Sequence, residues 1–339
     1  MSDRSSLLII KIHHFIRKYV KNSIAASIIF PALPAVIIAV FLQYFYNYQI
    51  LTRGISCALL WMAIAPGLIQ NSYYSVDYFF DTHKFLFNDL NEYNYLKSCY
   101  LNNFDHNKLI ILNYGLAILA STVVTVTRFY TAPTVIQAWT FICFFIIFYF
   151  STIGFRGIIM VPKIISHICS VNLIFNPYHH DEFGGMKSIE KFIIKGILYF
   201  STGALLFPLV FSILRHAEYS NLYLDYSVYI LTSIFITVLL YSFITPIMII
   251  KKYVVKEKQK LIHQSQENLD KLYDQAVSSS GNLNKSANVY LYNELYHKKI
   301  MAIKEFPYDA SVFFELIISI LLPIIIAAVE ILYKVEITV

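Results

Sequence analysis

Residues 134–154 read Thr-Val-Ile-Gln-Ala-Trp-Thr-Phe-Ile-Cys-Phe-Phe-Ile-Ile-Phe-Tyr-Phe-Ser-Thr-Ile-Gly, an uncharged run bounded by Arg128 and Arg156. A hydrocarbon layer of roughly 30 Å is crossed by about 20 such residues coiled as a helix, which keeps every backbone hydrogen bond inside the segment. Six further runs have this character: Ile24–Tyr46, Leu51–Gln70, Leu109–Thr127, Phe192–Leu214, Ser227–Ile250 and Val312–Tyr333. The expected fold is all-α, a polytopic integral membrane helical bundle of about seven transmembrane helices with a cytosolic helical hairpin.

Two of these boundaries have alternatives. The run 51–70 is interrupted by Arg53 near its start and by Pro66-Gly67 near its end, so a re-entrant or interfacial segment competes with a span there. Gly157–Phe175 continues the apolar pattern beyond the fourth run, and a further span there, which would send 251–311 outside, is the alternative. The segment reads as an amphipathic extension lying at the cytoplasmic interface, with Lys163 and His167 toward water.

Composition agrees. Of 339 residues, 57% are hydrophobic and only 14% are charged, against roughly 25% in soluble domains. Phe and Tyr number 27 each, and the mean hydropathy is +0.57. A disordered chain, a disulfide scaffold and an ordinary soluble enzyme are excluded. The net charge of +6 sits at the ends of apolar segments, so it speaks for topology rather than for nucleic acid. Four scattered cysteines build no disulfide framework. The N-terminus lacks a clean cleavage site and is not read as a signal peptide.

Basic residues then fix an orientation. Alternate connecting segments carry 22 Lys and Arg on one side and 4 on the other, with Lys195 inside the fifth run. Leaving out the long 251–311 segment, the asymmetry is still 12 to 4. The N-terminus is therefore expected in the cytoplasm and the C-terminus outside. The chain divides into a basic amphipathic segment (1–23), a six-span membrane domain (24–250), a cytosolic helical hairpin (251–311) and a last span with a short external tail (312–339). In the first, Leu8, Ile9, Ile12, Phe15, Ile16 and Val20 share a helical face. That pattern suits a basic flank orienting the first span, with an anionic-lipid anchor or partner-docking helix as the alternative.

Within 251–311, Val255, Ile262, Leu269 and Ala276 recur every seven residues, and Val289, Tyr292, Tyr296 and Ile303 form a second stripe. The intervening Ser278–Asn282 has turn composition. Glu267–Lys271 and Glu294–Lys298 are i,i+4 pairs, and Pro307 closes the second helix. Asp309 or Ser311 is placed to cap the last span.

The densest polar cluster is Asn176-Pro177-Tyr178-His179-His180-Asp181-Glu182-Phe183-Gly184-Gly185. Imidazoles beside carboxylates suit metal ligation or acid–base work, yet adjacent histidines lack the three- or four-residue spacing that places two ligands on one helix face. The alternative is a polar turn in which Pro177 opens the bend and Gly184-Gly185 supply positive φ. The run 176–186 resembles a His-Pro-x-His-Pro-Asp-x-x-Gly-Gly-Leu element of uncharacterised bacterial multi-pass membrane proteins. Pro177, His179, Asp181, Gly184 and Gly185 match it, while Asn176 and His180 depart. Glu305–Asp309 is similar to that group's Pro-Phe-Asp element, and the likeness extends over about half the chain. It implies a bacterial membrane protein and brings no activity.

Ionisable groups inside spans are costly and mark functional candidates; here they are Lys195, Glu315 and Glu330. Lys195 and Glu315 each stand three residues into their runs. They are expected either to bridge between neighbouring spans or, separately, to reach the headgroups and cap a helix start. Prolines 31, 34, 66, 208, 246 and 323 bring possible kinks. Gly196 and Gly203 mark a close helix contact. Aromatics 44–46, 73, 74 and 78–80 are placed as interfacial belts. No phosphate loop, nucleophile elbow or zinc-protease motif occurs, and no metal or cofactor is expected.

The leading functional expectation is a non-enzymatic membrane component receiving a cytosolic protein partner or signal through 251–311. One version is a membrane accessory or effector of a bacterial antiviral defence system. A channel or transporter with kinked helices is the alternative, and an enzyme centred on His179, His180 and Asp181 is the third. The bilayer itself is the first partner, an oligomer is compatible, and no direct nucleic-acid binding is expected.

Overall fold

A computed structural model describes residues 28–105, 107–171, 173–204, 222–278 and 283–305, with isolated positions nearer either end. A kinked turn at Ile28–Ala32, non-helical at Phe30, leads into α1 (Leu33–Tyr46). There follow α2 (Arg53–Thr82), a short turn Lys84–Leu86, α3 (Leu90–Asp105) and α4 (Asn107–Arg128). α5 (Thr134–Ser170), α6 (Lys187–Ala204), α7 (Leu222–Ser278) and α8 (Leu283–Met301) complete the set. Among the described residues there is no strand, only an isolated antiparallel bridge between Phe87 and Leu173.

Polarity across the outer helices is inverted relative to a soluble bundle. α4 buries Asn113, Ala117, Ser121 and Val124, a stripe of mostly small residues packed on α5. Its exposed face consists of Ile111, Leu112, Leu116, Ile118, Leu119, Val123 and Val126. α1 repeats the pattern, with Ala35 and Ala39 inward and Val36, Ile37, Val40 and Phe41 outward. Small residues let helix backbones approach, and an outward layer of large apolar side chains suits a lipid solvent. Among the described residues, four helical stretches contain a window long and apolar enough to cross a membrane: Gly54–Thr82, Ile110–Thr127, Thr134–Ser170 and Ile236–Asp274. α1 is shorter. Continuations of the fifth and seventh sequence runs lie largely outside the described residues.

The structure corrects several details of the sequence reading. The weakest run, 51–70, is part of an unbroken 30-residue helix that contains Pro66, and α2 contacts α1, α3, α5 and α6. Its ambiguous hydropathy follows from its position: a helix lined by neighbours tolerates Gln70, Ser72 and Ser75, which a lipid-facing helix does not. Residues 157–170 are likewise no separate interfacial piece. They are the second half of the 37-residue α5, with Ile158, Val161, Ile164, Ile165 and Ile168 buried in protein. Tyr73, Phe79 and Phe80 belong to the core, whereas Tyr44, Phe45 and Tyr46 are exposed as a belt requires. Pro246 also sits inside a continuous helix; Pro208 and Pro323 lie outside the described residues.

At about 1.5 Å per residue, α5 is about 55 Å long and α7 about 85 Å, both well beyond the ~30 Å hydrocarbon layer. Their second halves join the end of α2, α3, the start of α6 and the 171–186 loop in a second layer. Aromatic rings bind that layer: Phe80 packs near Phe87, Tyr93 and Tyr100, and the Tyr100 hydroxyl meets His167 Nδ1 at 2.6 Å on α5. Lys97 of α3 bridges Asp77, at 3.0 Å, and Asp81 of α2.

Gly196 brings α6 against α5, where an added Cβ would stand 3.1 Å from Val161 Cγ2. Gly196→Leu should therefore cost about 1–3 kcal/mol by overpacking and lower the Tm of the detergent-solubilised protein. Ile118→Ala, on the exposed face of α4, should leave the Tm unchanged. Equal losses at both positions would contradict the inverted packing.

Candidate functional site

The loop 174–186 is organised around one carboxylate. Asp181 Oδ1 accepts from the backbone N–H groups of Phe183 and Gly185, both at 3.0 Å, and Oδ2 accepts from Lys187 N–H at 3.1 Å. His179 Nδ1 lies 3.0 Å from Oδ1. Burial opposes ionisation of Asp181, but the three backbone donors and His179 outweigh it and hold the carboxyl below its ordinary value. The Lys187 contact also caps the start of α6, where a negative charge suits the helix dipole. Gly184 and Gly185 adopt φ of +68° and +96°, and a Cβ on Gly184 would fall 2.5 Å from the Phe175 ring. Asp181, Gly184 and Gly185 are thus explained by the turn they build.

Contacts on every side fix the loop in place. Ile174 N–H donates to Leu86 C=O at 2.9 Å, joining the loop to the turn after α2. Glu182, itself at φ +60°, pairs with Lys304 Nζ at 2.6 Å, and its carbonyl accepts from Lys304 N–H at 3.1 Å. The Tyr178 ring lies 5.6 Å from that of Tyr296 on α8. Phe183 and Met186 are buried beneath.

Between this loop, the end of α2 and the first turns of α6 lies a cleft of about 530 Å³. His83, His179, His180, Lys187, Lys191 and Lys195 line it, with Asp181 at one side. His83 Nδ1 lies 2.8 Å from the Phe79 carbonyl, and Phe79 stacks on His83 and packs tilted against Phe192. Burial lowers the pKa of His83; the bond to Phe79 opposes that shift, and the nearby Lys191 ammonium adds to it.

His179 and His180 stand with ring centroids 4.4 Å apart. Among the described residues no hydroxyl or thiol hydrogen-bonds either ring as a nucleophile would, and no group of three or more His, Cys, Asp or Glu is placed to hold a metal ion. Lys195 Nζ lies 5.8 Å from the Tyr78 ring centroid, facing α2. Glu315 and Glu330, with the Asp309 and Ser311 caps, lie outside the described residues. Sequence reasoning missed His83 and Lys191 as companions of the loop, because α2 was expected to end near residue 70 rather than to carry His83 to it.

α7 continues unbroken into the polar segment, and α8 packs along it. The buried seam runs through Val254 and Ser265 rather than through the heptad at 255, 262 and 269, which flanks it half-buried. Ser265 Oγ meets His297 Nδ1 at 2.6 Å, and Lys258 Nζ reaches the Ile303 carbonyl at 2.9 Å. Lys298 pairs with Glu294 at 2.7 Å, whereas Glu267 is engaged by His263 at 3.4 Å instead of Lys271.

No protein family model matches this chain, and no curated protein or solved structure is similar to it.

Since the folded pKa of Asp181 lies below the ordinary 3.8, its stabilisation is complete above that pH and is lost as the pH falls through the folded value. Asp181→Asn turns an amide N–H₂ or a single oxygen toward three donors and should cost about 1–3 kcal/mol at neutral pH. The Tm values of variant and wild type should converge on acidification. An Asn variant as stable as wild type at pH 7 would contradict the loop's dependence on the carboxylate.

Proposed function

We propose that the protein is a non-enzymatic, seven-span inner-membrane component, N-terminus inside and C-terminus outside, that receives a soluble protein partner on the α7–α8 pair. One observation carries this reading. From Lys251 to Ser278, α7 extends about 40 Å past its apolar stretch, and the outer half of the pair exposes Tyr273, Val289, Leu291, Tyr292 and Leu295. Nearer the bundle, the corresponding residues Val254, Ile300 and Ile303 are buried. Clustered exposed apolar side chains on an otherwise charged helix pair are the composition of a docking face.

The non-enzymatic part is supported by the occupation of Asp181 and His179 in turn-building contacts. Pro66 and Pro246 both lie within continuous helices, so neither marks a broken span of the kind that builds a site at the membrane midplane. The orientation follows from the 22-to-4 asymmetry of basic residues.

A periplasm-reporting fusion after Ile250 should be silent and one after Val339 active; the opposite pattern would overturn the orientation. A photo-crosslinking residue at Tyr292 in the full chain should give one discrete adduct with a soluble protein in cells. That adduct should disappear in a Leu291→Glu, Leu295→Glu background that still inserts and folds. Adducts to lipid alone, or an adduct indifferent to those substitutions, would refute the docking face.

A further inference from the structure

The cleft between α2, the 174–186 loop and α6 has a chemistry that the docking role leaves unused. Lys187, Lys191 and Lys195 are spaced by four and so form one stripe of α6, and all three line the cleft. Imidazoles approach from two other elements, His83 after α2 and His179 with His180 from the loop. Three lysines against the Asp181 carboxylate leave a net +2 before any imidazole is protonated. The Asp181 oxygens are already engaged by backbone N–H groups and His179.

Lys187 is engaged, with its Nζ over the Phe183 ring, and the informative lysines are the other two. Elsewhere Lys97, Lys258, Lys298 and Lys304 each form an ion pair, yet among the described residues neither Lys191 nor Lys195 has an acidic partner. Converging ammonium groups repel one another and gain most from an anion placed between them. The cleft also has an apolar floor where Phe79 meets Phe192, with centroids 4.5 Å apart, and hydroxyls from Ser75 and Tyr78 at its α2 wall. α6 runs from the polar loop into an apolar segment, so Lys195 stands deepest and Lys187 nearest water. A stripe of ammonium groups graded across that boundary, over an aromatic floor, matches an anionic head joined to an apolar body.

We propose that this cleft binds a phosphate-bearing anion, held by Lys191 and Lys195 with His83 and His180 around it. The phosphate is that of a phospholipid headgroup entering from the membrane interface or that of a soluble phosphate ester. This inference is independent of the partner-docking role, since it concerns the base of the bundle and its test has no protein partner in it.

The test uses the full-length protein, delipidated in neutral detergent and titrated with dioctanoyl phosphatidic acid, with glycerol 3-phosphate, and with dioctanoyl phosphatidylcholine as the zwitterionic control. Binding is read by native mass spectrometry and by the rise in Tm. Saturable binding of phosphatidic acid at one site is expected, weakened at least tenfold in Lys191→Gln, Lys195→Gln. That variant should keep the ligand-free Tm of wild type, because neither side chain holds an ion pair in the described structure. A variant that loses its ligand-free Tm is replaced by Lys191→Arg, Lys195→Arg, which keeps the charge and should bind, with Tyr78→Glu, opposite Lys195, as the disrupting counterpart. Binding of glycerol 3-phosphate as tight as that of phosphatidic acid would identify a soluble phosphate ester as the source, and phosphatidic acid alone a lipid. No saturable binding of either, equal binding of phosphatidylcholine, or unchanged affinity in the glutamine variant would overturn the proposal.

Discussion

A hydrocarbon solvent offers no hydrogen bonds and no reward for hiding apolar side chains, and the rest of the structure follows from that constraint. Backbone groups are satisfied inside helices, so the membrane layer is helical over its described length apart from the kink at Phe30. Packing rests instead on close approach. Ala35 and Ala39 of α1, Ala117 and Ser121 of α4, and Gly196 of α6 are small residues at helix contacts, while large apolar side chains such as Ile37, Phe41, Leu112 and Leu119 cover the outward faces of α1 and α4. A bundle built this way has its hydrophobic surface on the wrong side for water.

The second layer obeys ordinary aqueous rules. There α2, α3, the far half of α5 and the 174–186 loop bury aromatic and branched side chains and pair charges across elements, as Lys97 does with Asp77 and Glu182 with Lys304. The loop is the joint between the layers. Asp181 closes its turn and caps α6, Ile174 ties it to the turn after α2, and Tyr178 and Glu182 tie it to the end of the α8 segment. α6 is thereby linked to the base of the α7–α8 pair through the contacts of the loop.

How much of this was legible in the sequence depended on which solvent each residue meets. Lipid-facing helices announce themselves, and Leu109–Thr127 and Thr134–Gly154 fell within α4 and α5 because nearly every position there is apolar. α2 was harder to read, because its neighbours are protein and its polar residues at 70, 72 and 75 break the hydropathy signal without breaking the helix. The continuation of α5 was obscured for the related reason that Arg156 and Lys163 imitate a boundary. The glycines at 184 and 185 were readable as a turn from composition alone. What no local pattern contains is that His83, about 100 residues earlier in the chain, faces the same cleft, since that juxtaposition depends on the length of α2 and the packing of α6 against it. The seam of the helix pair was misplaced at Val255, because the half-buried flank at 255, 262 and 269 has the seven-residue repeat whereas the buried Val254 and Ser265 stand eleven residues apart.

The central claim, that one layer is solvated by lipid and the other by water, is tested most directly by collision accessibility of spin labels in liposomes. Labels are placed at Leu119 on the outward face of α4 and at Tyr178 in the loop. The account predicts relaxation dominated by oxygen at Leu119 and by a water-soluble nickel chelate at Tyr178. Chelate-dominated relaxation at Leu119 would contradict it.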